Sequence, residues 1–392
     1  MFRTETLKNI HIKDFEEFFK EKDVKRRSAR MKHNTTIDRY NMISKLIKEE
    51  VDNPNGAFTK SEINNFIFKK LFYDNNNYEY ILKYSNFFAT KFTKRSVAEK
   101  YLRENPLLKF NETLENTSSD KDYELFTSKL DCQSENASAI HLLVRVGFVN
   151  NFLGKVDFFA GITVDLQNSV LIVRLNYRHI KSSNKEPLKL LKEIKDLISG
   201  TGLSGKSFVP LKLNPISLDE DTANKTIFAL YKELSSEAED LLNARMTEET
   251  EDKIKEFLKE TGITEIKDEY LEQIKAVLYQ DISRNINPSS FKKGWIFRFD
   301  FREGNLTRAT SKHEKKGPIY SSKTYWQLKE LIYGEERMHE AGFHWKIPRS
   351  SDSVDVRVYS RNDTIIVHYY YNMRIDRKEK DEFVVQKIAR NL

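Results

Sequence analysis

The glycine-rich stretch at residues 200–207 is the closest match in the chain to a ligand-binding motif. Its sequence, GTGLSGKS, fits the P-loop pattern, in which backbone amides wrap a phosphate, a lysine neutralises it and a serine holds magnesium. Gly205, Lys206 and Ser207 are therefore candidate nucleotide-binding residues. A P-loop also needs a strand before it and a helix after it, but residues 188–199 have helical periodicity and two prolines follow the motif. The surrounding pattern favours the end of a helix and a loop.

Two aspartates on a predicted apolar strand suggest the metal site of a nuclease. A nuclease of the restriction-endonuclease type uses strand carboxylates to bind Mg²⁺ and activate water, and Asp157 and Asp165 are the candidates. The next strand, at residues 170–175, carries no carboxylate and has Arg174 where a lysine would be needed. The alternative is structural, with each aspartate paired to Arg145 or Arg174. Both hypotheses stay open, and Mg²⁺ is the cofactor only if the nuclease hypothesis holds.

The histidines and the single cysteine form no metal or nucleophile motif. His339 and His344 resemble the zinc motif HExxH, but the second histidine comes one residue late and Gly342 interrupts the helix that the motif needs. Cys132 is the only cysteine, which excludes an internal disulfide and a cysteine zinc cluster. The sequence therefore predicts no metal and no other cofactor outside the nuclease alternative.

The C-terminal quarter mixes basic and aromatic side chains in a way typical of nucleic-acid-binding surfaces, where arginine and lysine contact phosphates and aromatic rings stack on bases. Between residues 295 and 301, aromatic residues alternate with Ile296, Arg298 and Asp300, which predicts a strand with a buried aromatic face and Arg298 pointing away from it. Residues 307–323 are polar and basic, and we expect them to form a loop that contacts nucleic acid. The candidate phosphate-binding residues of this region are Lys312, Lys315, Lys316, Lys323, Arg349 and Arg361.

A second basic run follows an amphipathic helix near the start of the chain. Arg26, Arg27 and Arg30 would bind a phosphate backbone and release its counterions. Acidic residues interrupt the run, so a solvated helix face is the alternative. The order of predicted helices in residues 1–107 resembles a helix-turn-helix module, with capping-box sequences that open helices at Thr59 and Ser96.

Composition excludes several classes of protein. The 392 residues are 39% hydrophobic and 12% aromatic, which is enough for a buried core and excludes global disorder. The net charge of +7 arises from 66 basic and 59 acidic residues, so its distribution matters more than its total. Charged residues interrupt every apolar run before the ~18 residues of a membrane helix, and no apolar signal segment opens the sequence. We therefore expect a cytoplasmic protein without a membrane partner.

The most apolar stretch, residues 139–180, predicts the core of the fold. Turn residues divide it into the runs 140–149, 156–166 and 170–180, which together predict an antiparallel β-meander. With helical patterns before and after it, the sequence predicts an α+β fold. The predicted domains are a helical, helix-turn-helix-like domain at 1–107, a polar linker at 108–138, a central β-meander with helices at 139–285, and a basic-aromatic α+β domain at 286–392.

The leading functional hypothesis is a nucleic-acid-binding protein that binds DNA or RNA through basic surfaces rather than a catalytic site. The setting we expect is bacterial genome maintenance, mobile-element biology or phage defence. The first alternative is the metal-dependent nuclease using Asp157 or Asp165. The second is a scaffold subunit that docks on a protein partner through the helices at 222–279, which are too rich in glutamate to contact phosphates.

Overall fold

The computed structural model describes residues 2–24, 35–85, 94–116, 121–199, 211, 213–303, 307–370 and 376–392. These residues form two compact units, the first within 1–217 and 374–378 and the second within 218–373 and 379–392. Each unit combines helices with antiparallel strands, so the predicted α+β class is confirmed. Across these ranges, no helix has the length and apolar character needed to cross a membrane.

Unit 1 places its helices around a sheet with the strand order β2-β3-β4-β5-β1, and β6 pairs with β1. Its helices are α1 (Thr4–Leu7), α2 (Ile12–Glu21), α3 (Thr36–Asp52), α4 (Lys60–Lys69), α5 (Arg95–Glu104), α6 (Tyr177–Ser182) and α7 (Pro187–Ser199). Its strands are β1 (Tyr78–Ser85), β2 (Glu124–Gln133), β3 (Asn136–Asn151), β4 (Gly154–Asp165), β5 (Val170–Leu175) and β6 (Asn214–Ile216). Strand β2 lies within the polar stretch 108–138.

The predicted β-meander is confirmed and forms the centre of unit 1. Strand β3 pairs antiparallel with β4, and β4 with β5, so that Ile162 faces Leu142 on one side and Val173 on the other. The third strand is shorter than predicted because the side chain of Asn176 accepts hydrogen bonds from the backbone of the next residues and opens α6.

Two local predictions for the N-terminal part of the chain are wrong. Residues 78–85 form strand β1 instead of a helix, and they pair with β5. Its sequence, YEYILKYS, has apolar residues at 78, 80, 82 and 84 and polar residues at 79, 83 and 85, which is the alternation of a strand. The second capping box is also absent: α5 begins at Arg95, no side chain caps its start, and Arg95 pairs with Glu99 instead. The first box, at Thr59 and Glu62, is confirmed.

Unit 2 has a sheet with the strand order β11-β10-β9-β7-β8, in which the neighbours run antiparallel. Its strands are β7 (Gly294–Glu303), β8 (Thr307–Lys312), β9 (Glu340–Lys346), β10 (Ser353–Ser360) and β11 (Ile365–Tyr369). Its helices are α8 (Glu220–Asn243), α9 (Thr250–Glu260), α10 (Asp268–Arg284), α11 (Lys323–Glu335) and α12 (Arg377–Ala389), the last of which begins in unit 1.

Buried aromatic rings join the helices of unit 2 to one face of its sheet. Tyr231 of α8 lies 6.3 Å from Phe299 of β7 and 6.2 Å from Tyr325 of α11, measured between ring centroids. All three residues are buried, and such ring pairs prefer these tilted and edge-on arrangements. Phe299 therefore lies on the core face of β7, as the alternation predicted.

A β-bulge in β7 separates the strand into two parts with opposite alternation. Ile296 pairs with Phe343 of β9, Arg298 pairs with Gly342, and Phe297 is the extra residue between them. The bulge turns Trp295 onto the same face as Arg298, so the prediction that Trp295 shares the buried face of Phe299 is wrong. The ring of Phe297 lies over Gly342, where a Cβ atom would come within 2.5 Å of it.

Strand β8 also corrects a prediction, because residues 307–312 were expected to belong to a loop. They pair with β7 along its last six residues. Their sequence, TRATSK, has little apolar character. Strand β8 lies at the end of the strand order, and an edge strand of this kind can remain polar.

The close approach at Gly342 predicts a clear cost for adding one methyl group. We expect Gly342→Ala to lower the free energy of unfolding by about 1–3 kcal/mol, because the buried ring of Phe297 must move. Denaturant titration of both proteins would measure this. The matched control is Gly334→Ala near the end of α11, where no atom lies within 4 Å of the new Cβ. That variant should be neutral or slightly more stable, and an equal loss in both variants would contradict the contact.

Burial of His179 predicts acid sensitivity. Burial lowers the pKa of this histidine to about 4, whereas an unfolded histidine titrates near 6.5. The unfolded chain therefore binds the proton first as pH falls below about 6.5, and the stability present above that pH is lost toward pH 4. From pH 7 to pH 5 the loss from this residue is on the order of 2 kcal/mol. In His179→Gln, the stability difference between these pH values should shrink by that amount; an unchanged difference would contradict the assignment.

Candidate functional site

The sheet of unit 2 has a polar face, opposite the face that packs on the helices. Alternation places the apolar residues of β9 and β10 toward the core, among them Phe343 and Val356, which are fully buried. The residues between them point the other way. The polar face carries Arg298, Asp300 and Arg302 on β7, Arg308 and Lys312 on β8, Glu340 and His344 on β9, and Asp355, Arg357 and Tyr359 on β10.

Two pairs of like charges lie directly opposite each other on the hairpin formed by β7 and β8. Arg302 faces Arg308, and Arg298 faces Lys312. Side chains in such positions have Cβ atoms about 4.5–5.5 Å apart, and like charges there destabilise a sheet. We call these four residues the cationic hairpin. An arrangement that costs stability needs either a compensating charge within the protein or an anionic ligand.

Asp300 supplies part of that compensation. Arg308 donates hydrogen bonds to both oxygens of the Asp300 carboxylate, from Nε to Oδ1 at 3.2 Å and from Nη2 to Oδ2 at 2.6 Å. Arg302 lies 3.9 Å from Oδ1. These hydrogen bonds raise the pKa of the Arg308 guanidinium above its ordinary value. The Asp300 side chain is only 6% exposed while that of Arg308 is 62% exposed, so a buried carboxylate fixes an exposed guanidinium.

Glu340 repeats this arrangement on the neighbouring strand. It pairs with Asp300 across β7 and β9, and its carboxylate forms ion pairs with Arg298 and Arg357. The side chain of Glu340 is 8% exposed. Two buried carboxylates are thus shared among four arginines, which leaves two net positive charges in this group.

A cleft of about 560 Å³ opens over this group, at the end of the sheet where β7 and β10 finish and β9 begins. The turn between β10 and β11 and the first turn of α8 form its other walls. Its charged lining residues are Arg302, Arg308, Arg357, Arg361, His339, Glu220, Asp300, Glu340 and Asp363. Burial, followed by the nearby Arg302, lowers the pKa of His339, so this imidazole is neutral at pH 7. We call this the arginine cleft.

The other end of the polar face is covered by the segment after β8. The indole of Trp295 stacks on His344 with ring centroids 3.8 Å apart, and its Nε1 donates to the carbonyl of Lys316. Lys316 also pairs with Asp355 at 3.1 Å. Asp355 accepts a hydrogen bond from His344 at 2.6 Å if Nδ1 carries the proton. These contacts of Lys316 hold the segment after β8 against the sheet.

The predicted phosphate-binding residues lie at several separate places in unit 2. Lys312 and Lys315 are exposed, the former on the cationic hairpin. Lys323 begins α11, and Arg349 is exposed in the connection between β9 and β10. Arg361 lies in the arginine cleft.

The other predicted basic and nucleotide-binding residues lie outside the part of the chain that the structure describes. They are Arg26, Arg27, Arg30, Gly205, Lys206 and Ser207.

Sequence reasoning did not select Arg302, Arg308 or Arg357 as site residues. Their charge and alternation are visible in the sequence, and the direction predicted for Arg298, away from the core, is confirmed. The signal that distinguishes them is their pairing with carboxylates across strands. This pairing depends on the register between β7, β8 and β9. The spacing of residues within one strand does not reveal that register.

The two aspartates of the nuclease hypothesis lie eight residues apart on β4, which corresponds to roughly 26 Å along the strand. They therefore cannot hold one ion between them. Asp165 forms the turn after β4, where its Oδ1 accepts hydrogen bonds of 2.9 Å from the backbone of Gln167 and Asn168. In the described ranges, no group of three or more acidic, histidine or cysteine side chains is arranged to hold a metal ion.

Asp157 is fully buried in a polar cluster of unit 1. Its Oδ2 accepts a hydrogen bond of 2.6 Å from Thr6, and its Oδ1 lies 3.5 Å from Nη1 of the buried Arg145. Arg145 also donates to Glu124 at 2.8 Å. Burial raises the pKa of Asp157, while the Thr6 hydrogen bond and Arg145 oppose that rise. These contacts match the structural alternative, in which Asp157 pairs with Arg145. The other arginine considered, Arg174, forms an ion pair with Glu79.

The acidic helices form a small core of their own within unit 2. Ile254, Leu258 and Leu271 are buried together where α9 meets α10. Val277 of α10 remains 65% exposed and lines a groove of about 680 Å³ beside Trp326 of α11.

Comparisons with protein-family models, with curated proteins and with solved structures found no match.

The contacts of Arg145 predict a structural role for the Asp157 cluster. In Arg145→Met, Asp157 remains buried without its cation, and we expect a loss of about 3 kcal/mol or more in the free energy of unfolding. Urea titration followed by circular dichroism measures it. The control is Arg245→Met, an exposed position just after α8, which should change stability by less than about 0.5 kcal/mol. Equal stability of the two variants would show that the buried pair contributes nothing.

Proposed function

We propose that the protein binds nucleic acid through the polar face of the unit 2 sheet and acts by binding rather than by catalysis. The observation that carries the proposal is the cationic hairpin, where Arg302 faces Arg308 and Arg298 faces Lys312. Opposed like charges cost stability in the free protein. A polyanion that passes over the hairpin would neutralise them, and the release of its counterions would drive binding.

The fixed orientation of the arginines supports this proposal. Asp300 and Glu340 hold the guanidinium planes of Arg308 and Arg357, so less side-chain freedom is lost when a phosphate binds. Guanidinium groups donate two parallel hydrogen bonds to phosphate oxygens, which makes arginine well suited to this contact. Lys312 adds a further exposed positive charge to this face, opposite Arg298 on the cationic hairpin.

Binding without catalysis is favoured because the two carboxylates of the arginine cleft are already occupied. Asp300 and Glu340 each form ion pairs with arginines, and a carboxylate so paired is a poor ligand for Mg²⁺ and a poor general base. The proposal therefore assigns these carboxylates to positioning the arginines. The expected partner is DNA or RNA, and a setting in genome maintenance, mobile-element biology or phage defence remains part of the proposal.

A salt titration of nucleic-acid binding tests the proposal. Labelled single- and double-stranded DNA and RNA would be titrated with the full chain by fluorescence anisotropy at several salt concentrations. We expect affinity to fall steeply with salt, and Lys312→Gln to weaken binding roughly three- to tenfold and to lower the slope of log affinity against log salt by about 1. Lys189→Gln, at an exposed position on α7 of unit 1, is the control and should bind like the unaltered protein.

The same samples, with Mg²⁺ present, separate binding from cleavage. Intact product on a denaturing gel is expected from the proposed function. Cut product that disappears in Asp165→Ala would favour the nuclease alternative instead. Absence of binding to every probe at low salt would overturn the proposal and leave a protein partner of the acidic helices as the alternative.

A further inference from the structure

We propose that the arginine cleft binds the terminal phosphate of a nucleic-acid strand whose backbone lies along the cationic hairpin. The inference rests on the proposed function and adds to it a specific ligand group. The chemical class is a phosphomonoester, as carried by a 5′- or 3′-phosphorylated strand end. An internal phosphodiester carries a single charge and is the group that the cleft should discriminate against.

The charges of the cleft are unevenly distributed along its lining. Four arginines and four carboxylates line the cleft, so the lining as a whole is balanced. On the side of the sheet, however, Arg302 and Arg308 contact Asp300 while Arg298 and Arg357 contact Glu340, which leaves two positive charges beyond these two carboxylates. A phosphomonoester carries about −1.5 to −2 at pH 7 and has three terminal oxygens, so its charge matches this local excess.

Several guanidinium donors in the cleft are unused. Arg302 is 49% exposed and its closest carboxylate oxygen is 3.9 Å away, beyond hydrogen-bond distance. Arg308 bonds Asp300 through Nε and Nη2 alone. Arg361 is exposed in the turn after β10. Within the described ranges, the guanidinium groups of Arg302 and Arg361 make no hydrogen bond. The three arginines can therefore donate to a ligand without breaking an internal contact.

One edge of the cleft is acidic. Glu220 in the first turn of α8 is 71% exposed, and Asp363 is exposed in the turn before β11. A backbone that continued through the cleft would bring a further phosphate close to these carboxylates, and like charges at short range repel. A strand that ends in the cleft avoids this repulsion. The volume of about 560 Å³ also lies in the usual range for a small-molecule site, so one terminal nucleotide can fit.

The test compares strand ends on otherwise identical probes. Single-stranded DNA and RNA oligonucleotides with a 5′-hydroxyl, a 5′-phosphate or a 3′-phosphate would be titrated with the full chain at one salt concentration. We expect a phosphate at one of the two ends to raise affinity about tenfold, as charge-assisted hydrogen bonds to arginine do. Adenosine monophosphate should compete away this gain and leave binding of the hydroxyl-ended probe largely unchanged.

Arg361→Gln is the diagnostic variant, because this exposed side chain makes no hydrogen bond within the described part of the protein and its loss should leave the fold intact. It should remove most of the difference in affinity between the phosphate-ended and the hydroxyl-ended probe. Arg349→Gln removes the same charge from an exposed position that does not line the cleft and should keep the gain.

The outcomes separate this inference from the proposed function. Salt-sensitive binding with no preference for a phosphorylated end overturns the terminal-phosphate site and leaves nucleic-acid binding in place. A preference that Arg361→Gln and Arg349→Gln reduce equally overturns the assignment to the cleft. Absence of binding to every probe overturns both proposals.

Discussion

Charge balance across three neighbouring strands is the constraint on which the functional face of unit 2 depends. Arg302 and Arg308 could not face each other on adjacent strands without Asp300 between them, and Asp300 itself lies next to Glu340. Buried carboxylates side by side need cations, and crowded cations need carboxylates. Each member of the group therefore depends on its neighbours, and the excess of positive charge lies on the polar face of the sheet, where Asp300 and Glu340 hold the arginines.

The opposite face of the same sheet supplies the rigidity that this arrangement needs. Tyr231, Phe299 and Tyr325 pack as a buried aromatic cluster between β7 and the helices. A strand held on one face by such packing cannot shift its register by one residue, because that shift would move every core side chain to the solvent face. Packing on the core face therefore also fixes the register of the polar face. The side chains that would bind an anion are already in position in the free protein.

Local signals in the sequence were sufficient for the α+β class and for the meander of β3, β4 and β5, because apolar runs and turn residues specify them directly. Strand β1 was missed although its sequence alternates, because the helical patterns on both sides were extended through it. Strand β8 was missed because an edge strand can be polar throughout. The outward direction of Arg298 was predictable from its apolar neighbours. Its partnership with Glu340 was not, because that depends on which residues of β9 lie beside β7.

The extra residue in β7 has a consequence for how related sequences could vary. Loss of Phe297 alone would leave Trp295 and Arg298 on their present faces, because the strand would simply become regular there. Loss of a residue farther along, between Arg298 and Arg302, would exchange core for solvent in the rest of the strand. Evolution should therefore tolerate a gap at the bulge more readily than one between Arg298 and Arg302. In a sequence with such a gap, the space that the Phe297 ring now fills would be open. Residues larger than glycine could then occupy position 342.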